Sequence, residues 1–337
     1  MDKKKLAWGL LSLAIAILTI RTIVNMNSCF SMEHFIEVVK ESSVPWMLGA
    51  LVCMFGFIWF EGFALVRISH HLGYGETTKH GTLYGAADIF FSAITPSASG
   101  GQPASALFMI RDKMPASVAT ASLIINLVMY TLALLTIGLV CLPWFKGFNT
   151  FSSVVITIGF FLLVFLALIF YMLLKKGKIL SNILKAIVTV LAKVHIIRHV
   201  DRKKEKIDKL AADYQDCANV IFGKKKMLLE IYVINLLQRI SQLGVSFMVF
   251  MAIGEGFRNA LRVWVTQCFV AIGSNCIPIP GAMGIADYLM IDGFSSIVGT
   301  AESGGLELVC RGITFYTCVI LSGVIVLCGV LRNRKKN

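Results

Sequence analysis

Two short loops rich in proline and glycine interrupt long apolar stretches, and they constrain the fold more than any other feature of the chain. The first loop occupies residues 94–103 and the second residues 277–284, and together they contain four of the seven prolines. A membrane tolerates such irregular backbone at depth only where protein buries it or where it lines a watery cavity. Paired breaks in two halves of an apolar chain are therefore typical of a transporter-like binding site.

The composition indicates a membrane protein. The 337 residues are 57% hydrophobic and only 15% charged, with a mean hydropathy of +0.77, whereas a soluble domain carries about 25% charged residues. Several apolar runs reach the roughly 20 residues that a helix needs to cross the bilayer core. We therefore expect an all-α polytopic membrane protein, and we interpret its first apolar run as a retained helix rather than a signal peptide.

Six full spans are predicted, with both termini in the cytoplasm. They cover approximately residues 6–25, 44–66, 116–142, 151–174, 227–253 and 306–331. In this topology 25 of the 32 lysines and arginines lie inside, four outside and three within spans, which is the positive-inside pattern. The net charge of +13 therefore needs no nucleic acid, and we expect no DNA partner. The basic segment 175–226 is predicted to form an amphipathic cytoplasmic helix on the inner leaflet.

The two loops are predicted to be the tips of re-entrant hairpins. Residues 83–110 begin and end inside, whereas residues 263–300 begin and end outside, so the hairpins enter the membrane from opposite faces. We expect a single membrane domain over residues 1–337. Its first repeat is residues 44–142 and its second, inverted repeat is residues 227–331, an arrangement found in many alternating-access carriers.

The loops and the ionisable residues near them can bind an anionic group. A broken hairpin exposes helix N-termini, whose free N–H groups favour phosphate, and glycine lets the backbone approach a ligand closely. An ionisable side chain inside a span is costly unless it is paired or hydrated, so each one is a candidate for function. The predicted residues for binding a lipid headgroup are Thr95, Pro96, Ser97, Ser99, Gly100, Gly101, Gln102, Arg239, Pro280, Gly281, Gly284, Asp287, Arg311, Asp88 and Glu61.

A structural role is the alternative for each of these features. Glycine and proline can simply shape a tight crossing of helices, and buried charges can form ion pairs such as Glu307 with Arg311. His70 and His71 have no carboxylate at a metal-ligand spacing, so we expect membrane-surface residues and no metal site. No GxxxxGK[ST] or GxSxG motif is present, so nothing indicates nucleotide hydrolysis or a serine hydrolase. We expect no catalytic residues and no cofactor.

The sequence of the two loops adds a resemblance to a known family. The first loop contains Thr95-Pro96 followed by Gly100-Gly101, and the second runs from Pro280 through Gly284 to Asp287. These segments resemble the Thr-Pro…Gly-Gly and Pro-Gly-Gly-x-Gly-x-x-Glu segments of the lysylphosphatidylglycerol synthase transmembrane-region family. The resemblance covers roughly residues 5–330.

The match to the family also includes an arginine in the last helix, at Arg311, and it has two departures. Ala282 replaces the second glycine of the late motif, and Asp287 stands where the family usually has glutamate. Aspartate keeps the charge but shortens the side chain, so the preference for a headgroup can differ from that of the family.

The resemblance implies a lipid translocator, or a lipid-binding carrier, of the bacterial inner membrane. Its ligand would be a phospholipid or polyprenyl-phosphate lipid with a phosphate headgroup, such as lysyl-phosphatidylglycerol. The phosphate would face the backbone of Ser97–Gly101 together with Arg239 or Arg311. A cationic group such as a lysyl ammonium would face Asp88 or Asp287.

The enzymatic alternative is a phosphatidylglycerol lysyltransferase, or a membrane subunit of such a system, with roles in lipid metabolism and resistance to cationic peptides. In the family, transfer from aminoacyl-tRNA belongs to an additional C-terminal soluble domain, and this chain ends at Asn337. We therefore expect no transferase activity from the chain alone. A separate lipid-modifying enzyme would be its partner, and a homo-oligomer stays open.

Overall fold

A computed structural model gives the arrangement of the helices. It describes residues 36, 40–95, 98–175, 181–182, 185, 212–213, 215–217, 219–221, 223–275, 277 and 279–334. Over these residues the protein is an all-α polytopic membrane protein, as the sequence predicts. The predicted span 6–25 and most of the predicted amphipathic segment 175–226 lie outside the described residues.

The helices are numbered in chain order over the described residues. Their bounds are α1 Val44–His71, α2 Thr78–Ile94, α3 Gly101–Arg111, α4 Ala116–Cys141, α5 Thr150–Lys175, α6 Lys225–Ala252, α7 Gly256–Ser274, α8 Ile285–Val298, α9 Thr300–Arg311 and α10 Cys318–Arg334. Short 3-10 helices occupy Leu142–Trp144 and Pro280–Ala282. A π-helical turn, Gly312–Thr317, joins α9 to α10, so these two helices form one continuous rod.

Five helical segments in the described residues are long and apolar enough to cross a membrane. They are Val44–His71, Ala116–Trp144, Thr150–Met172, Lys225–Ala252 and Glu302–Leu331. They correspond to the last five predicted spans, which are confirmed as helices. Helix α5 is the least buried of these segments, and it exposes Phe161 and Phe165. In a membrane these exposed apolar side chains would face lipid.

Each predicted re-entrant segment forms a helix–loop–helix hairpin. In the first hairpin α2 has 17 residues and α3 has 11, and in the second α7 has 19 and α8 has 14. The two helices of each hairpin pack against one another. A helix of 11 or 14 residues is shorter than the roughly 20 needed to cross the bilayer core. The hairpins are therefore confirmed as elements, and their entry into the membrane from opposite faces stays a prediction.

The order of elements repeats along the chain. A long helix, a hairpin and a second long segment occur as α1, α2–α3 and α4, and again as α6, α7–α8 and α9–α10. Each hairpin packs against the last segment of the other repeat. In the first hairpin α2 contacts α10, and in the second hairpin α7 contacts α4. The central helices α1 and α6 pack along one another. This reciprocal packing is what two related halves would produce.

Helices α1 and α2 cross so closely that only glycine fits at the contact. A Cβ atom on Gly62 would lie 2.0 Å from the carbonyl oxygen of Gly81, and one on Gly85 would lie 2.5 Å from the nitrogen of Gly62. Small residues allow such close approach of helix backbones in membranes. Glu61 precedes Gly62, and Asp88 lies about one turn after Gly85. The crossing therefore directs two carboxyl groups towards the same space.

Candidate functional site

The tips of both hairpins and two arginines surround a cavity of about 250 Å³. Ala98 lines it from the first loop, and Gly281 and Ala282 line it from the second. Arg239 reaches it from α6 and Arg311 from α9. The structure therefore brings together both predicted loops and both predicted arginines, although these residues are far apart in the sequence.

Asp88 holds the first loop in place. Its carboxylate accepts hydrogen bonds from Gln102 Nε2 at 2.7 Å and from Ser92 Oγ at 3.2 Å. Gly101 passes so close that an added Cβ would lie 2.1 Å from Asp88 Oδ1 and 2.0 Å from Ser92 Oγ. Asp88 thus fastens the start of α3 to the end of α2, and glycine is required where the backbone crosses its carboxylate.

Other residues of the first loop support its shape. Thr95 Oγ1 donates to the Phe91 carbonyl at 2.6 Å and accepts from the Gly100 N–H at 2.9 Å. The Gly100 N–H is therefore already bonded to Thr95 rather than free for a phosphate. Ser99 is exposed, and the predicted residues Pro96 and Ser97 lie outside the described residues.

Asp287 holds the second loop, and it does so as half of an ion pair. It accepts the Gly284 N–H at 2.9 Å through Oδ2 and Arg311 Nε at 2.6 Å through Oδ1. Arg311 Nη2 donates in turn to the Gly281 carbonyl at 2.9 Å. Asp287 therefore caps α8, and Arg311 ties this cap to the loop. The carboxylate that the sequence analysis offered to a cationic headgroup already has a cation beside it.

The predicted alternative pair of Glu307 with Arg311 is corrected by this geometry. Arg311 forms its ion pair with Asp287 of α8 instead, because α8 packs against α9. Glu307 is 1% exposed, and its Oε1 has no hydrogen-bond partner among the described residues. Its carboxyl group lies beside Asp287. The spacing of four residues between Glu307 and Arg311 therefore did not determine the ion-pair partner of the arginine.

The backbone of the second loop adopts left-handed conformations that favour glycine. Gly281 has φ 61° and Gly284 has φ 79°, and Ala282 between them has φ 51°. An L-residue with a Cβ is disfavoured in this region of conformational space. Ala282 is the residue that departs from the glycine of the family motif. The conformation explains why glycine suits this position and implies a local cost for alanine.

Arg239 is the most deeply buried cation of the described site. It is 2% exposed, its guanidinium lies 3.1 Å from the centre of the Tyr130 ring, and Nη1 donates to Gln242 Oε1. Its Nε and Nη2 atoms have no hydrogen-bond partner among the described residues. Buried donors without partners are costly. Arg239 therefore lines the cavity between the loops and has two nitrogen atoms without hydrogen-bond partners among the described residues.

Glu61 lies in a buried network of amides next to Arg239. Its two oxygens accept from Asn126 Nδ2 at 2.6 Å and from Gln238 Nε2 at 2.5 Å. Asn235 Nδ2 continues the network to Asn126 Oδ1 at 2.9 Å. These contacts join α1, α4 and α6 through buried polar side chains.

A second cavity, of about 440 Å³, adjoins the first. Glu61, Asp88 and Gln102 line this second cavity. The residues that line both cavities are Ser92, Ala98, Tyr130 and Asn275. The site thus has two compartments, one with the two arginines and one with two carboxyl groups, separated by Tyr130 and the first loop.

Sequence reasoning missed Asn126 and Tyr130. Both lie in α4, which is otherwise almost wholly apolar, and they are four residues apart on one face of the helix. A polar side chain inside a span costs free energy without a partner, so Asn126 could have been singled out by that signal. Tyr130 carries no such signal, because its position over Arg239 depends on how α4 packs against α6.

A cluster of polar side chains, which the sequence analysis missed, lies at the end of the first hairpin opposite its loop. His80 Nδ1 lies 2.7 Å from Glu76 Oε2 and 3.9 Å from Asp112 Oδ2. Tyr84 donates its hydroxyl to Asp112 Oδ2 at 2.6 Å. These contacts fasten the start of α2 to the end of α3. The sequence analysis considered carboxylates only for His70 and His71, so it missed the acidic neighbours of His80.

Two comparisons with known proteins agree with the resemblance of the loops. The family model described as the lysylphosphatidylglycerol synthase TM region matches residues 9–322. A UPF0104 membrane protein of Archaeoglobus fulgidus is 22% identical over 310 residues, which cover 88% of this chain and 90% of that protein. The family match extends across both hairpins and both arginines that line the cavity.

Proposed function

We propose that this protein, which belongs to the lysylphosphatidylglycerol synthase transmembrane-region family, translocates a lipid with a phosphate-bearing headgroup. The observation that carries the proposal is the cavity between the two hairpin loops, where Arg239 has two donors without partners. An anionic headgroup would accept those N–H groups and compensate the buried charge. Arginine suits this role because its planar fork matches the oxygens of a phosphate.

The two arginines would have different tasks in binding. Arg311 donates from Nε to Asp287 and from Nη2 to the Gly281 carbonyl. It therefore stabilises the shape of the second loop and adds positive potential to the site. Arg239 has no partner for its Nε and Nη2 among the described residues, and these atoms would bind the phosphate directly. In this proposal the headgroup would occupy the cavity, and the acyl chains would stay in the surrounding lipid, which lowers the cost of moving the headgroup across the membrane.

Translocation needs the site to open to each side of the membrane in turn. The repeated order of elements and the reciprocal packing of the hairpins support an inverted repeat around the site. In this proposal the first hairpin enters from the cytoplasm and the second from the opposite face. The protein would work in a bacterial inner membrane, on a phosphatidylglycerol or polyprenyl-phosphate lipid, and lysyl-phosphatidylglycerol fits both the family description and the acidic second compartment.

The test is transport of fluorescent phosphatidylglycerol in proteoliposomes, followed by dithionite quenching of the outer leaflet. We expect the wild-type protein to move the lipid, and we expect Arg239→Ala to slow transport by about 10-fold or more, since hydrogen bonds to a charged group contribute roughly 1.5–3 kcal/mol. Arg239→Lys should restore part of the rate. The matched control is Arg111→Ala, which removes an exposed arginine at the end of α3 and should leave transport unchanged.

The competing function is transfer of a lysyl group to phosphatidylglycerol, which the family description suggests. The same purified protein is incubated with lysyl-tRNA and phosphatidylglycerol vesicles, and the lipids are extracted and weighed by mass spectrometry. We expect no lysylated lipid. Its formation, with no translocation of any phosphate lipid, would replace the transporter by the enzyme.

A further inference from the structure

The compartment beside the arginines contains two carboxyl groups that the binding of a phosphate does not use. Glu61 is 5% exposed and Asp88 is 7% exposed, and both line the cavity of about 440 Å³. No lysine or arginine is among the described residues that line this cavity. Two carboxylate charges in such a place are costly unless a cation or a proton compensates them.

The charged and titratable neighbours of the pair can be named helix by helix. Arg239 of α6 interacts electrostatically with Glu61, and Gln238 of the same helix donates to it. The other groups that face the two carboxyls are neutral: Asn126 of α4, Ser92 of α2 and Gln102 of α3. With one arginine against two carboxylates, the described cluster has an excess of one negative charge.

Two amide oxygens next to Glu61 and Asn126 lack a hydrogen-bond donor among the described residues. Gln238 is 0% exposed and Asn235 is 1% exposed, and the side-chain oxygen of each has no hydrogen-bond partner among the described residues. Gln238 Nε2 donates to Glu61, and Asn235 Nδ2 donates to Asn126 and to the Ile231 carbonyl. A proton on a carboxyl group would add a hydrogen-bond donor beside these two unpartnered amide oxygens and would compensate one negative charge.

We propose that binding of an anionic headgroup at Arg239 is coupled to the uptake of one proton by the Glu61–Asp88 pair. This inference rests on the proposed function, since it assumes that the phosphate binds Arg239. A phosphate next to Arg239 shares the charge that otherwise compensates Glu61, so the excess of negative charge in the neighbouring compartment rises. One proton then passes from the buffered solution to a carboxylate oxygen, where it forms an O–H bond and returns the site to the net charge it had before the anion bound.

The coupling gives the protein a way to use a proton gradient. Tyr130 and Ser92 line both compartments, so the anion and the proton would bind in adjacent compartments that share these two side chains. By linkage, a proton that is taken up with the anion makes the affinity for the anion fall as pH rises, by about 10-fold per pH unit where uptake is complete. Release of the proton on the side of higher pH would then favour release of the lipid there.

The experiment is isothermal titration calorimetry of the full-length protein in detergent, with the soluble lipid dihexanoyl-phosphatidylglycerol as the probe. Titrations in PIPES and in Tris at one pH report the number of protons taken up, because the two buffers differ in their enthalpy of ionisation. We expect uptake of about one proton per lipid bound. Sodium chloride is held constant throughout, and replacing sodium by potassium should not change the binding.

Two variants assign the proton to the pair. Glu61→Gln and Asp88→Asn should each bind the lipid and should each lower proton uptake towards zero. The matched control is Glu302→Gln, which neutralises an exposed glutamate at the start of α9 and should leave the uptake at the wild-type value. Size-exclusion chromatography of each variant identifies any that fails to fold, and the wild-type titration tests the coupling without them.

The outcomes separate this inference from the proposed function. Binding without proton uptake by the wild-type protein would overturn the coupling and leave the headgroup site in place. Uptake that persists in both carboxyl variants would also overturn it, since another group would then carry the proton. Dependence of binding on sodium would replace the proton by a metal cation. Absence of any binding would overturn the headgroup site, and the coupling with it.

Discussion

The two hairpin loops solve the same structural problem with different electrostatics. Each loop is fastened by one aspartate, Asp88 in the first and Asp287 in the second, and each aspartate bonds to a group of its own loop. Asp287 has Arg311 beside it at 2.6 Å, whereas the hydrogen-bond donors to Asp88 among the described residues are Gln102 and Ser92. In the second loop the charge of the aspartate is thus neutralised by an arginine, whereas the first loop retains a carboxyl group that can respond to a ligand or a proton.

The largest difference is expected when each aspartate is made neutral. Asp287→Asn removes the ion-pair partner of Arg311 and should destabilise the protein by about 3–5 kcal/mol, as breaking a buried ion pair does. Asp88→Asn leaves no cation behind and keeps an oxygen acceptor for Gln102, so its cost should be below about 1 kcal/mol. Chemical unfolding in detergent, followed by circular dichroism, measures both. Equal costs at the two positions would remove the distinction between the loops.

A smaller effect is expected at the glycine that crosses the first aspartate. Gly101→Ala places a Cβ 2.5 Å from the Asp88 carbonyl oxygen as well as near its carboxylate, so backbone must move, at a cost of about 1–3 kcal/mol. The control is Gly304→Ala, where an added Cβ has no atom within 4 Å and where α9 should gain slightly in stability. If Gly101→Ala is as stable as the wild type, the close fit of the first loop is not needed.

The smallest effect is expected at the strained alanine of the second loop. Ala282→Gly removes a Cβ from a residue at φ 51° and should stabilise the protein by about 0.5–1 kcal/mol. Ala286→Gly, within helix α8, is the control and should instead destabilise it by about 1 kcal/mol. A thermal shift of the same sign in both variants would contradict the left-handed backbone at Ala282.

Much of the fold could be predicted from the sequence because the bilayer restricts the choices. Apolar runs of spanning length marked five of the helical segments, and proline with glycine marked both hairpins between residues 94–103 and 277–284. The limits of the hairpins were less accurate, since α2 begins at Thr78 rather than at residue 83. Polar residues at the start of a helix carry no apolar signal, so its first turn was missed.

The site was harder to predict because its partners come from different helices. Arg239 and Arg311 stood out as cations in apolar segments, and both line the cavity. Which carboxylate accompanies which arginine depends on packing, and the local spacing favoured Glu307 where the structure has Asp287. The division into two compartments depends on Tyr130 and the crossing at Gly62, and neither is visible as a pattern along the chain.

The most direct test of a headgroup site at Arg239 is lipid analysis of the purified protein. The protein is extracted in mild detergent, and the bound lipids are identified and counted by mass spectrometry. The wild-type protein and Arg111→Ala should retain a phosphate-bearing lipid at about one per chain, and Arg239→Ala should lose most of it while it keeps its helical content. Retention of the same lipid by Arg239→Ala, or enrichment only of lipids without a phosphate, would contradict the site.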